Sequence, residues 1–237
     1  MKKIAIGIQA RTNSERLPEK VLMDLSGRTL LEQVHNECKN AADYINRSRH
    51  LDAHVKVYVL IPENDYKIKE RHPNFIYLEG SEKDVLSRYL QLANETQADY
   101  IVRITADCGS ITSAVISRHI KTAIISTADY ITNTIVRTFM EGLDVEVMSL
   151  STLLWLKKNA ISDADKEHVT TAFKDYLINN SDKKPDNLHI VHILDKRDLS
   201  HINTSIDTPE DMLREINERK KVRNKITQAL RSGSYVI

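Results

Sequence analysis

Short apolar runs rich in β-branched residues alternate along this chain with longer stretches of helical periodicity, and that alternation leaves few folds open. Residues 2–8, 55–61, 75–79, 100–104 and 143–148 read as strands, most of them apolar enough to be buried on both faces. Residues 188–193 alternate as an edge strand does. Between the strands, 21–42 reads as a loop and a helix, with Leu30, Leu31, Val34 and Cys38 at helical spacing. Residues 84–96 place Val85, Leu86, Tyr89, Leu92 and Ala93 on one helical face. Further helices are expected over 65–71, 113–126, 150–159, 166–177 and 209–231. The pattern predicts an α/β fold, a mostly parallel sheet with helices on both faces. Ligands of such sheets sit outside the carboxyl ends of the strands, so the residues that follow strands carry the functional question.

At 237 residues the chain is the length of one such domain, 1–237. Its net charge of +1 gives no broad basic field, which argues against nucleic acid or a membrane surface as partner. Cys38 and Cys108 lack metal-ligand spacing, and a reducing compartment is expected. The opening MKKIAIGIQART has too short an apolar run for a leader peptide, so a soluble, cytoplasmic protein is expected.

The first strand runs into Gln9-Ala10-Arg11-Thr12-Asn13-Ser14-Glu15-Arg16-Leu17-Pro18-Glu19-Lys20. Arg11, Arg16 and Lys20 lie within ten residues, with small hydrogen-bonding side chains between them. A polyphosphate needs several fixed donors; arginine grips its oxygens bidentately and lysine supplies a point charge. A solvated polar loop is the plain alternative. Neither GxxxxGK[ST] nor GxGxxG is present, which excludes a Walker loop and a dinucleotide fingerprint.

The stretch IQARTNSERLPEKVLMDLSGRTLLEQV resembles the opening of the cytidylyltransferase family named for spore coat polysaccharide biosynthesis. More distantly it is similar to CMP-KDO synthetases and acylneuraminate cytidylyltransferases. GSEKDVLSRY, YIVRITADC, NTIVRTF with EGLDVEV, KEHVT and INTSIDTPEDM continue the resemblance in order over nearly the whole chain. It implies a Rossmann-like nucleotide-diphospho-sugar transferase fold and Mg²⁺-dependent transfer of CMP from CTP to a small anionic acceptor such as a sugar acid. It implies that Arg11, Arg16 and Lys20 embrace the triphosphate and that the backbone near Ile8, Gln9 and Ala10 packs close to the base. Ser81, Asp84, Val85, Arg88, Thr105 and Ala106 then line the nucleotide, Arg11, Lys20 and Asp107 serve catalysis, and Asp107 and Asp207 hold the metal. Residues 129–200 are expected to contribute acceptor-binding and dimerisation elements, and a homodimer is compatible with that. After TADC this chain reads Gly109-Ser110-Ile111-Thr112 where the family continues with proline and an aliphatic–acidic pair, which leaves the acceptor pocket open.

Mg²⁺ takes few protein oxygens and fills its shell with phosphate and water, so two carboxylates at strand ends suffice. An Asp after a strand is also a common turn or cap residue, and Asp207-Thr208-Pro209-Glu210 reads as a helix start. On a strand, Asp144 and Glu146 would share one face, where they could meet a second metal or an acceptor's hydroxyls, or simply solvent. Asn133, Arg137, Glu167 and His168 complete the candidate acceptor contacts, each with a plain surface or structural alternative. The same reaction with a phosphate or phosphonate acceptor, or with another nucleotide, stays open. Two other classes remain: a nucleotide-binding protein without activity, against which the cradle and both carboxylates argue, and a glycosyltransferase using Asp144-Val145-Glu146 as its acid-x-acid pair.

Overall fold

A computed structural model describes residues 1–179 and 188–231. Its strands are β1 (Lys2–Gln9), β2 (Ala53–Pro62), β3 (Tyr77–Gly80), β4 (Tyr100–Thr105), β5 (Tyr130–Thr132), β6 (Glu146–Ser149) and β7 (Ile190–His192). Its helices are α1 (Leu30–Arg47), α2 (Tyr66–Arg71), α3 (Val85–Thr96), α4 (Ser113–Ser126), α5 (Leu150–Asn159), α6 (Asp163–His168), α7 (Thr171–Asn179) and α8 (Pro209–Arg231). The strands form one sheet in the order β3-β2-β1-β4-β6-β5-β7. All neighbours are parallel except β6, which runs antiparallel to β4 and to β5.

The period-two pattern of β1 explains the layering. Ile4, Ile6 and Ile8 point to one face and pack with Leu31, Val34 and Ile45 of α1 and Ile116 and Ile120 of α4. Ala5 points to the other, against Tyr89 and Leu92 of α3 and Leu153 and Leu156 of α5. Side chains such as Ile6, wholly buried, each contribute about 1.5–3 kcal/mol. Helix starts are fixed locally: Thr29 caps α1 by accepting from Glu32 N at 3.1 Å, and Asp84 caps α3 by accepting from Ser87 N at 2.9 Å.

The strand order turns at β1. From there the chain builds β2 and β3 to one side and returns to add β4 on the other. The crevice between the ends of β1 and β4 is therefore the switch point of this sheet, where ligands of such folds bind.

Three sequence expectations need correction. The helix over 166–177 is two helices, broken at Val169, whose φ is +64°. The strand over 143–148 begins only at Glu146, and Asp144 precedes it. The strand lies inside the sheet, flanked by β4 and β5. A short strand, β5, was not anticipated at all; three residues hold too little periodicity to show in sequence. No helix among the described residues is long and apolar enough to cross a membrane.

Candidate active site

The loop after β1 is tied down at three points. Ala10 N donates to Leu60 O at 3.0 Å, Thr12 N and Oγ1 both donate to the Asp65 carboxylate, and Glu19 N returns to Thr12 O at 2.8 Å. Glu19 takes a left-handed conformation (φ +57°) that folds the loop back and delivers Lys20 into a turn of 3₁₀ helix. The result is a lysine only 9 % exposed, in the switch-point crevice.

Two carboxylates meet it there. Lys20 Nζ lies 3.2 Å from Asp107 Oδ2 and 2.9 Å from Asp207 Oδ1, and it donates to Ile206 O at 3.0 Å. Asp107 follows β4 directly; Asp207 arrives from far along the chain, held by Ile206 N donating to Asp107 O at 3.1 Å. Arg16 reaches the same Asp207 oxygen at 3.1 Å. Burial pushes the Asp107 carboxyl up, but the Lys20 ammonium and hydrogen bonds outweigh it and hold the group below the usual carboxylate value.

The capping alternative for Asp207 is resolved by its neighbour. Thr208 Oγ1 accepts from Asp211 N at 3.2 Å, and the Asp211 carboxylate accepts from Thr208 N at 3.0 Å and from Asp207 N at 3.1 Å. Thr208 with Asp211 makes the reciprocal cap of α8, so the Asp207 carboxylate faces the crevice. Two converging carboxylates are hard oxygen donors and fit a small divalent cation that draws its remaining ligands from phosphate and water. No cluster of three or more acidic, His or Cys ligands occurs among the described residues.

The crevice has a volume of about 460 Å³. Beyond Arg11, Arg16, Lys20, Asp107 and Asp207, its walls include Gln9, Ala10, Val85, Arg88, Thr105 and Ala106, as the sequence suggested. Ser81 and Asp84 stand behind the wall instead: Ser81 Oγ accepts from Asp84 N at 3.0 Å, and Asp84 caps α3. Ile8 is wholly buried in the core, so its side chain is not in the crevice.

From the opposite side, α6 brings Glu167 and His168 to the mouth. Arg11 Nη2 bonds Glu167 Oε1 at 2.9 Å across it. The chain turns sharply just after: Thr170 N donates to His168 O at 2.7 Å around Val169, at φ +64° and ψ −57°. This is the rare, strained form of the γ-turn, on a β-branched residue that is fully buried.

The expected acceptor contacts separate. Asn133 is wholly buried; its Nδ2 donates to Leu143 O at 2.8 Å and its Oδ1 accepts from Val145 N at 2.9 Å. It fixes the backbone ahead of β6, with no face left for a ligand. Glu146 is 1 % exposed, bonded to Arg103 at 2.6 Å and paired with Lys174 at 3.3 Å. Hydroxyls of Tyr130, Thr134 and Thr170 also donate to it. Burial acts to raise its pKa, but Lys174, Arg103 and the hydroxyls hold it far below the carboxylate range. Asn133 and Glu146 are thus corrected from contacts to supports, because folding saturates them before any ligand arrives. Arg137 and Asp144, half-buried, clasp each other through two bonds of 2.7 and 2.9 Å. Asp144 and Glu146 therefore make no acid-x-acid metal pair. Arg103 and Lys174 were not anticipated in this network. A charged residue inside the buried run YIVRIT was the available signal for Arg103.

The sequence model of the family described as "Cytidylyltransferase" matches residues 4–226. An uncharacterised protein of Methanocaldococcus jannaschii is 34 % identical over 172 residues, covering 72 % of this chain and 66 % of that protein. The spore coat polysaccharide biosynthesis protein SpsF of Bacillus subtilis is 27 % identical over 180 residues, covering 74 % and 72 %. A cytidylyltransferase structure from Leptospira borgpetersenii superposes with a TM-score of 0.76 at 26 % identity, over 94 % of this chain and 96 % of that one. A CMP:2-keto-3-deoxy-manno-octonic acid synthetase structure complexed with CTP superposes at 0.59 with 12 % identity, over 96 % and 99 %, a likeness of fold. The Rossmann-like nucleotidyltransferase fold is common to them.

Proposed function

The chain belongs to the cytidylyltransferase family, and from that premise we propose that it transfers CMP from CTP to a small anionic acceptor, a sugar acid or a close relative, with release of pyrophosphate. The observation that carries this reading is the meeting of Lys20, Asp107 and Asp207 at the switch point of the sheet, with Arg11 and Arg16 beside them.

In this reading an acceptor oxygen attacks the α-phosphorus in line, and the bond from that phosphorus to the pyrophosphate oxygen breaks. The protein positions the groups and neutralises charge. Arg11 and Arg16 take phosphate oxygens, and Arg11 exchanges Glu167 for the triphosphate as it does so. Lys20 leaves its carboxylates for the group being displaced. Asp107 and Asp207 would hold Mg²⁺, which when bound supplies positive charge against the phosphates. Glu167 and His168, which line the crevice, and the paired Arg137 and Asp144 would meet the acceptor, and the guanidinium of Arg137 suits an anionic one. The printed name of the Bacillus subtilis relative supports a sugar-derived acceptor. The described residues among 129–200 would frame that side of the site and the face through which two copies pair; the exposed Leu150 and Leu154 of α5 support the latter, and 180–187 lie outside the described residues. A CTP donor supports a cytoplasmic location on this reading.

The test is pyrophosphate release from CTP and Mg²⁺, screened over sugar acids, sugar phosphates and phosphonates. Release with a sugar acid, and less with neutral sugars, is the expected result. No release with any acceptor, together with no Mg²⁺-dependent thermal stabilisation by CTP, would overturn the reading.

A further inference from the structure

Gln9 ends β1 and lines the crevice. Its amide is held from behind. Arg103 Nε donates to Gln9 Oε1 at 3.1 Å, and the Tyr89 hydroxyl shares its proton between the same oxygen and Gly7 O, each at 3.2 Å. A guanidinium has donors and no acceptor, so it dictates which end of the amide it meets. The oxygen turns inward and Nε2 turns to the crevice, where it has no hydrogen-bond partner among the described residues.

Both clamps are themselves fixed. Arg103 Nη1 bonds the buried Glu146 at 2.6 Å. Tyr89 is wholly buried and seated against Gly7, where an added Cβ would stand 2.8 Å from Tyr89 Cε1. The same wall holds a second unusual donor. Arg88 is 2 % exposed; its Nη1 donates to Leu60 O at 2.8 Å, while its Nε is buried with no partner. Gly80 makes room for it, since a Cβ there would lie 2.8 Å from Arg88 Cγ. A buried donor without an acceptor is costly, and at the wall of a crevice a ligand acceptor can satisfy it.

Resting on the cytidylyltransferase reading above, we propose that Gln9 selects the base: with its oxygen locked inward it offers only N–H donors, beside those of Arg88, and so accepts cytosine over uracil. Cytosine presents two adjacent acceptors, O2 and N3. Uracil carries a proton on N3 and sets donor against donor, leaving both unbonded against a desolvated wall. Arg103 and Tyr89 act through Gln9 as positioning residues.

Equilibrium binding of CTP and of UTP, each with Mg²⁺ and without acceptor, tests this in wild type, Gln9→Glu and Gln9→Met. Wild type is expected to prefer CTP. Glutamate keeps an inward oxygen for Arg103 but turns an acceptor toward the crevice, so the ratio of CTP to UTP affinity falls by about 10- to 100-fold. Methionine removes the donor, so CTP binding weakens while UTP binding changes little. If wild type prefers CTP and both variants, still folded by their melting curves, keep that preference, the proposal fails and the family reading stands. A wild type that binds CTP and UTP alike also overturns the proposal. Binding of neither nucleotide overturns the proposed CMP transfer, and the proposal with it.

Discussion

Lys20 and Asp207, 187 positions apart in the chain, meet at 2.9 Å. The same ammonium touches Asp107, so one cation holds together two acids that would otherwise repel across a partly desolvated crevice. The arrangement ties the end of the chain to its beginning at the point where the chemistry is proposed. Lys20 donates also to Ile206 O, so neither acid is its sole partner.

Asp107→Asn should leave the fold intact and reduce Mg²⁺-dependent turnover by about a hundredfold or more, as expected for loss of a preorganised charge. The amide still accepts from Lys20, so circular dichroism and melting should change little. Near-normal kinetics with an acceptor found by the pyrophosphate screen would remove Asp107 from the site.

Arg11→Ala and Lys20→Ala should weaken CTP binding in a calorimetric titration far more than Lys39→Ala, which lies exposed on α1. Glu167→Gln provides the converse. It frees Arg11 from a half-exposed ion pair worth about 0–1 kcal/mol, so CTP affinity should rise by no more than about fivefold. Equal effects at Arg11, Lys20 and Lys39 would remove the first loop from the nucleotide site.

How much of this was legible in the sequence depends on what each signal rests on. The strands β1, β2 and β4 and the helices α1 and α3 declared themselves because burial on a repeating face leaves a periodic record. The cation cluster of the first loop was visible because Arg11, Arg16 and Lys20 are neighbours in the chain. The contact of Asp207 with Lys20 has no local signature, and only the family resemblance pointed to it. Asp144 and Glu146 misled for a physical reason: alternation says which side a residue points to, but not what waits there. For Glu146 it was Arg103 and Lys174 in the interior.

Glu146 should dominate the acid limb of stability. Its folded pKa lies below the ordinary 4.5, so its contribution is fully present above that value and is lost as pH falls further. Glu146→Gln leaves Arg103 and Lys174 without their counter-charge, at a cost of about 3–5 kcal/mol near neutrality. Urea unfolding at several pH values should show that deficit shrinking as pH drops below 4.5. A deficit independent of pH would show that the pair's charge is not what stabilises.

At Val169 the usual order of small residues should invert. In an ordinary position glycine is less stable than alanine by about 0.5–1 kcal/mol. Here φ is +64°, a conformation that strains any side chain with a Cβ by about 1–3 kcal/mol. Both variants lose the burial of the valine, but only glycine relieves the strain. Val169→Gly should therefore melt no lower than Val169→Ala, and an alanine variant clearly more stable than glycine would show that the turn is not strained.

Asp207 and Thr208 are adjacent, and the structure gives them different work. Asp207 turns its carboxylate to Lys20 and Arg16, while Thr208 shares the cap of α8 with Asp211. Asp207→Ser should keep a melting temperature close to wild type, because the cap is elsewhere. It should lose most turnover and most of the Mg²⁺-induced stabilisation seen with CTP, because a neutral hydroxyl is a poor ligand for Mg²⁺ beside a carboxylate. Thr208→Ala should do the reverse, costing about 1 kcal/mol of stability through the lost cap while leaving turnover largely intact. The pair of variants thus separates the two roles with one melting curve and one rate each. If Asp207→Ser turns over CTP normally, its carboxylate serves only to seat Lys20, and the metal role falls to Asp107 without it.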